Sequence, residues 1–257
     1  MEHTRLDAIA RAHDTLAPTY DATLARNPVA SWMRERLWEH YARVIPPHAR
    51  VLDFTAGTGA DALFLAKRGA QVVALDVSPG MLEELNRRAQ EARVPIETHV
   101  LAAEYLDRLD ASDFDAAISS FAGLGTIENV PRLAHTLARL LEPRGRLIVH
   151  TLNSFCLWET SNQIAHLRAP HARSTHPQIG GEFIGTRFYK PRDLYRDAFA
   201  SHFALRELYA LSVIAAPTWV TRWKPIAPVI FRMDRALGRL FPAAGDFFVM
   251  GLEKRSA

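Results

Sequence analysis

Between residues 50 and 152 the chain alternates short apolar runs with stretches of helical spacing, and this rhythm restricts the possible folds more than any other feature. Arg50-Val51-Leu52-Asp53-Phe54 stops in a turn of small residues, 55–59, and gives way to the helical pattern Ala62, Leu63, Leu65, Ala66, which Arg68-Gly69 ends. A second apolar run, 71–76, leads into Ser78-Pro79, a serine N-cap with proline at the first helical position, and then Met81, Leu82 and Leu85. Further strands are predicted at 96–101, 114–119 and 146–152, the last after the turn Glu142-Pro143-Arg144-Gly145, with a helix over 130–141. Strands separated by helices at such short intervals predict an α/β fold: a doubly wound, Rossmann-like, mostly parallel sheet.

The flanks keep a different rhythm. Residues 1–43 read as helical, from Ala8, Ala12 and Leu16 and, after the Asn27-Pro28 break, from Trp32, Leu37, Trp38 and Tyr41. Residues 153–203 cluster His, Pro and Gly with poor periodicity and read as an inserted substrate cap. Strands are predicted at 204–214 and 246–253, around a helix over 225–240, and such strands close a parallel sheet with an antiparallel edge. The expected organisation is therefore a helical cap segment at 1–43, a core at 44–152, the inserted cap at 153–203, and a C-terminal segment at 204–257 that completes the sheet.

Composition narrows the function classes. No apolar run of membrane-spanning length occurs, and Glu2, Arg5 and Asp7 interrupt the first residues, so neither a membrane span nor a secretory signal is expected. The single cysteine, Cys156, excludes an internal disulfide and suits a reducing compartment, which predicts a cytoplasmic protein. Net charge is +3, but the basic residues are overwhelmingly arginine and are scattered, with no run of five, so no nucleic-acid partner is expected.

In an open parallel sheet ligands bind beyond the carboxyl ends of the strands, which directs attention to the turn after the first one. Gly57 and Gly59 let backbone approach a ligand, and the helix starting near Ala60 points its free N–H groups at the same spot. Two cofactor classes suit this turn. Gly57-Thr58-Gly59-Ala60-Asp61-Ala62 satisfies the dinucleotide pattern G-x-G-x-x-A, with Asp76 following to take ribose hydroxyls, which would make the chain an NAD(P)-dependent oxidoreductase. Asp53, at the end of the strand, would instead repel a pyrophosphate and suits a ligand carrying an ammonium or sulfonium group.

Residues 51–59, Val-Leu-Asp-Phe-Thr-Ala-Gly-Thr-Gly, followed by 73–82, Val-Ala-Leu-Asp-Val-Ser-Pro-Gly-Met-Leu, resemble the first two motifs of class I S-adenosylmethionine-dependent methyltransferases. The likeness continues through 113–121, which resembles the fourth-strand motif, and 140–147, which resembles the turn before the fifth strand. The resemblance implies a methyltransferase of the EC 2.1.1 type that uses S-adenosyl-L-methionine to methylate an O, N or other nucleophilic atom of a small molecule. It further implies that the Asp53 region, Thr55, Ala56, Gly57 and Gly59 hold the methionine part and that Asp76 takes both ribose hydroxyls. Val77 and Met81 would flank the adenine, Ser119 and Ser120 would lie under the sulfonium, and Tyr20 would fold over the cofactor. Thr55 stands where the family has its first glycine, which leaves open a protein that binds the cofactor without transferring its methyl group. Ala103-Glu104 stands where the family places an acid near the adenine, and Glu104 reads equally as that acid or as a helix-start charge.

For the acceptor side, Phe121, Asn153, Trp158 and Glu159 sit at the ends of the fourth and fifth strands. The aromatic pair suits stacking on a flat acceptor, and the polar pair suits orienting or deprotonating one. His166, His171 and His176 recur every five residues, which does not put two imidazoles on one helix face, so no metal site is expected. His150 and Cys156 read as core residues. Ile226, Val229, Ile230, Met233, Leu237 and Leu240 form an amphipathic helix with Arg232, Arg235 and Arg239 opposite, suited to covering the sheet or to weak peripheral contact with a membrane.

Overall fold

The computed structural model describes residues 2–166, 173, 175–222 and 224–256. The chain opens with α1 (Glu2–Leu16), a 3-10 turn, α2 (Tyr20–Ala25) and α3 (Pro28–Val44), the last capped by Asn27, whose side chain accepts from the N–H groups of Val29 and Ala30. Then follow β1 (Arg50–Asp53), α4 (Ala60–Lys67), β2 (Gln71–Asp76), α5 (Pro79–Ala92), β3 (Ile96–Val100), β4 (Phe114–Ser119), α6 (Val130–Leu140) and β5 (Leu141–Leu152). After them come α7 (Leu157–Ala165), the small hairpin β6 (Gln178–Ile179) and β7 (Glu182–Phe183), and α8 (Pro191–Leu194), prolonged by a π-turn to Phe199. The chain closes with β8 (Phe203–Leu211), α9 (Pro217–Arg222), α10 (Ala227–Leu240) and β9 (Phe247–Lys254).

Seven strands form one sheet in the order β3-β2-β1-β4-β5-β9-β8. Neighbours are parallel except β9, which runs antiparallel between β5 and β8. This is the Rossmann-like sheet expected, with one refinement: β9 inserts inside, leaving β8 as the edge. Strand β5 also begins earlier than the motif suggests. Leu141 already pairs with Phe114, the register slips before Ala116 pairs with Arg146, and the Glu142–Gly145 turn becomes a bulge with Arg144 at φ 65°. The helix before it ends at Leu140 accordingly.

Alternation along the strands sends Val51, Ala74, Ile118 and Ile148 to the face covered by α3, α4 and α5, and Leu52, Val73, Ala117 and Leu147 to the face covered by α6. Leu194, Ala198 and Phe199, near the end of the cap region, pack in this second layer against the sheet. A third, smaller cluster joins Leu6, Ile9 and Ala12 of α1 to Ala102 and to Ile184 beside the hairpin. It seats α1 and the hairpin together over the carboxyl ends of the strands. No helix among the described residues is long and apolar enough to cross a membrane. His171 lies outside the described residues.

Candidate functional site

A cavity of about 220 Å³ lies where the carboxyl ends of β1, β2 and β4 meet α1 and the hairpin. Its sheet-side wall holds Thr55, Gly57, Asp76, Val77 and Met81, together with Ala103 and Glu104 after β3 and Ser120 and Phe121 after β4. Its roof is built from Leu6, Ile9, His13 and Tyr20, with Pro177 and Ile179. Nothing in the glycine motif announces that roof. The signal was the i, i+3, i+7 spacing of Leu6, Ile9 and His13, which places the three on one face of α1.

Two acids moor the N-terminal segment to the cofactor-type loops. Asp14 accepts from the Ser78 hydroxyl at 2.5 Å and the Gly80 N–H at 2.8 Å. Asp21 accepts from the Thr58 hydroxyl at 3.0 Å and from the Arg88 guanidinium. Folding α1 and α2 down therefore satisfies polar groups at the starts of α4 and α5.

Inside the cavity Asp76 is held by the backbone: one oxygen accepts from Gly57 N–H at 2.8 Å and the other from Ser78 N–H at 2.9 Å. Burial pushes its carboxyl above the usual range, opposed by these N–H groups and by His13. His13 shares its Nδ1 with the Ile9 carbonyl at 2.8 Å, which fixes the ring on the roof. Gly57 has φ +54°, and a Cβ there would meet nothing within 4 Å, so open space begins at that backbone. Gly59 has φ +76° for a different reason: a Cβ would come 2.3 Å from Leu85 Cγ, so this glycine lets α4 and α5 approach and lies off the cavity wall.

Thr55 turns its hydroxyl to Ser119 Oγ at 2.7 Å and packs its side chain where a Cβ on Gly123 would stand 2.5 Å away. Part of the residue still faces the cavity, but its polar atom is engaged beneath it. Ser119 is fully buried and off the wall. Asp53 is buried too, and burial with neighbouring Asp61 raises its carboxyl well above the ordinary value, against the lowering effect of the Thr55 N–H. Neither Asp53 nor Ala56 reaches the cavity wall. Glu104 does, ion-paired to Arg5 of α1 in the first turn of a 3-10 helix, so it is both helix-start charge and wall residue. Burial raises the pKa of the Tyr20 phenol, while the nearby Arg34 charge acts to lower it.

The loop after β4 is the most strained part of the site. Phe121 and Ala122 both take positive φ, 48° and 71°, a conformation costly for side chains with a Cβ. His150 holds it: its Nδ1 accepts the Phe121 N–H at 3.2 Å and its carbonyl accepts the Ala122 N–H at 3.3 Å. The imidazole is fully buried, and burial with nearby Arg34 lowers its pKa to about 3, so it stays neutral and able to accept. Beneath the loop Asp61 accepts from Trp38 Nε1 at 2.7 Å, Arg34 at 3.3 Å and the Ser120 hydroxyl, and Arg34 lies 4.3 Å from the Phe121 ring centroid. This network ties α3 to α4 and to the site floor, and no motif marks Asp61 for it.

Of the acceptor-side candidates only Phe121 lines the cavity. Asn153 is buried with its amide on the Pro242 carbonyl, Glu159 is ion-paired to Arg173 at 3.0 Å, and Trp158 sits half-buried in α7. Cys156 is buried, and burial lifts its thiol to about 12. Among the described residues no group of three or more His, Cys, Asp or Glu side chains is placed to hold a metal ion.

The geometry fits an adenosyl sulfonium ligand: an anionic acceptor pair at Asp76, an apolar slot beside Val77, Met81 and Ala103, a bare backbone at Gly57 and aromatic faces at Tyr20 and Phe121. Comparison with known proteins agrees with this. Residues 51–145 match the family model described as "Methyltransferase domain". The chain is 36% identical over 145 residues to a demethylmenaquinone methyltransferase of Clavibacter sepedonicus, the match taking 55% of this chain and 56% of that one. It is 32% identical over 181 residues to a ubiquinone biosynthesis O-methyltransferase of Xanthomonas axonopodis pv. citri, covering 69% of this chain and 68% of that one. The match thus spans little more than half the length of the first relative. In fold, the chain is similar to a methyltransferase of Listeria monocytogenes, described as a putative S-adenosylmethionine-dependent enzyme (TM-score 0.58, 16% identity, 85% of this chain and 96% of that one). It is also similar to the [4+2]-cyclase SpnF (TM-score 0.65, 17% identity, 97% and 96%). With the motifs in order, the strand order of the sheet and a relative matched at this identity over two thirds of its length, the chain belongs to the class I S-adenosylmethionine-dependent methyltransferase family.

Proposed function

We propose that this protein transfers a methyl group from S-adenosylmethionine to a flat, largely apolar small molecule, at a hydroxyl oxygen or another nucleophilic atom. The observation that carries the reading is the single cavity that joins the Asp76 carboxylate and the Gly57 backbone to the aromatic face of Phe121 under one roof. Asp76 would accept the paired ribose hydroxyls, with His13 beside it. Val77, Met81 and Ala103 would enclose the adenine, and Glu104 would approach its amino edge. Gly57 and Thr55 would border the methionine chain, with Asp53 acting from beneath through the turn rather than by contact.

The cofactor supplies a methyl group already activated by sulfonium charge, so the protein's part is to align the acceptor and exclude water. Tyr20 and Phe121 present ring faces that attract a cation, by about 0.5–2 kcal/mol each. The arginine at Phe121 sits on the ring from the Asp61 side. With cofactor and acceptor bound beneath the roof of Leu6, Ile9 and Ile179, water would be displaced from the cavity. The relatives' names, a demethylmenaquinone methyltransferase and a ubiquinone biosynthesis O-methyltransferase, favour a flat ring acceptor lying against Phe121. Asn153, Trp158 and Glu159 would act only as supports around the acceptor mouth. In this reading residues 1–43 and 153–203 are the covers of the 44–152 core, and the protein works in the cytoplasm.

The test is methyl transfer from isotope-labelled S-adenosylmethionine to a panel of aromatic hydroxyl acceptors, alongside calorimetry with S-adenosylmethionine, S-adenosylhomocysteine and NAD(P). Labelled product supports the proposal. Cofactor binding without transfer to any acceptor points to a protein that uses the sulfonium otherwise. Binding of NAD(P) alone overturns it.

A further inference from the structure

Helix α10 has two apolar faces, and a helix that merely covers a sheet needs one. Its inner face is occupied: Ile230 and Phe231 pack on the core, the Phe231 ring stacks on Trp32 at 4.8 Å, and Gly238 lies so close to β8 that a Cβ would come 2.1 Å from the Ala210 carbonyl oxygen. The outer face carries Val229, Met233 and Leu240 at helical spacing, flanked by Ile226 and Phe241. Their exposures are 59%, 53%, 70%, 47% and 55%. Exposed Phe155 and Leu157 continue the patch, since the Leu157 N–H is bonded to the Ala244 carbonyl at 2.9 Å just beyond Phe241. An apolar tract of this kind marks a contact surface.

Charge says what kind. Residues 217–245 contain Arg222, Lys224, Arg232, Arg235 and Arg239 and a single acid, Asp234. That acid is wholly buried, its carboxylate accepting from the N–H groups of Ser212, Ile214 and Ala215 at 2.7–3.0 Å. Arg235 reaches Glu39 at 3.5 Å, whereas exposed Arg232 and Arg239 have no ion pair among the described residues. By helical spacing 232, 235 and 239 form a basic row alongside the row of 229, 233 and 240. A second copy docked by two-fold symmetry would set each patch against itself, placing these arginines near their own images. A sheet of anionic headgroups above acyl chains matches both rows at once.

We propose that the outer face of α10, extended by Phe241, Phe155 and Leu157, docks the protein on an anionic phospholipid surface, with the apolar row at the headgroup boundary and Arg232 and Arg239 on the phosphates. The docked face adjoins the carboxyl end of the sheet, since Leu152, five residues before Leu157, lines the cavity. The inference stands apart from the methyl-transfer reading, because it needs neither cofactor nor acceptor.

The experiment is sedimentation of the full chain with vesicles of phosphatidylcholine alone and of phosphatidylcholine with phosphatidylglycerol, at low and high salt, with size-exclusion chromatography alongside. Binding is expected on the anionic vesicles only and weakened by salt. The double variant Arg232→Gln/Arg239→Gln should bind about 30-fold more weakly, from about 1 kcal/mol per basic residue at the surface. Met233→Glu/Leu240→Glu should abolish sedimentation while cofactor affinity by calorimetry stays unchanged, which shows that the variant is folded. Equal binding to neutral vesicles, no binding to either, binding indifferent to these variants, or a dimer dissolved by Met233→Glu/Leu240→Glu would each overturn the proposal.

Discussion

Replacing Asp76 by alanine tests the assignment of the cavity most sharply, because the structure separates what the carboxylate does for the fold from what it would do for a ligand. Each oxygen takes one backbone N–H, from Gly57 at 2.8 Å and Ser78 at 2.9 Å, and a carboxylate oxygen has a second lone pair to offer. A hydrogen bond to a charged group contributes about 1.5–3 kcal/mol net. Losing the hydroxyl contact should therefore weaken cofactor binding about 10- to 150-fold. The two N–H groups left behind face a cavity that water can enter, so the fold should lose about 1–2 kcal/mol, a fall in Tm of about 2–8 °C for a chain of this size. Isothermal titration with S-adenosylhomocysteine reads the first effect and thermal melts the second. Asp76→Asn, which keeps one acceptor oxygen, should fall between wild type and Asp76→Ala in both. If the folded alanine variant binds with unchanged affinity, Asp76 does not hold the ligand and the reasoning fails.

Three further outcomes follow from the geometry. Thr55→Gly removes the 2.7 Å bond to Ser119 and frees the backbone, which should destabilise by about 1–2 kcal/mol without weakening cofactor binding; a tenfold loss of affinity at unchanged Tm in a thermal-shift and calorimetry pair would contradict it. Asp61→Ala strips the acceptor from Trp38 and Ser120 and leaves the Arg34 charge largely buried, so urea unfolding should show a loss of about 3 kcal/mol, and a loss under 1 kcal/mol would show the network to be dispensable. His150, with its pKa lowered to about 3 in the fold against 6.5 when exposed, leaves the unfolded chain holding one more proton between those values. Its contribution to stability is complete above about pH 6.5 and is lost as pH falls towards 3, by about 1.4 kcal/mol per pH unit. His150→Gln should flatten urea-measured stability against pH by that slope between pH 4 and 6, and an unchanged slope would refute the buried neutral imidazole.

Sequence patterning made the centre of the molecule legible because its determinants are local. The strand-turn-helix from Val51 to Ala66 and the Ser78-Pro79 start each declare themselves within a short local stretch, and the parallel order follows from their alternation. A cap from residues 1–43 with Tyr20 over the site was expected, but how α1 seats was not legible, because it depends on contacts across the chain: Asp14 reaches Ser78 and Gly80, and Leu6 and Ile9 reach Ala102 and Ile184, partners that spacing within α1 does not name. Asp61 illustrates the same limit: in sequence it is only an unspecified position of the G-x-G-x-x-A pattern, while in space it gathers Trp38, Arg34 and Ser120. The Asn153, Trp158 and Glu159 group looked central by position after β5, yet none of the three lines the cavity, Asn153 bonding the Pro242 carbonyl and Glu159 pairing with Arg173. Strand-end position marks a neighbourhood, and the path of the following loop decides who faces the ligand.

A crystal of the protein grown with S-adenosylhomocysteine measures the central claim directly. Density for the adenosyl group should lie under α1, with the ribose on Asp76, the base against Met81, and the sulfur between Gly57 and Phe121. Density in any other hollow, or a cavity that stays closed to the ligand at saturating concentration, would contradict the account.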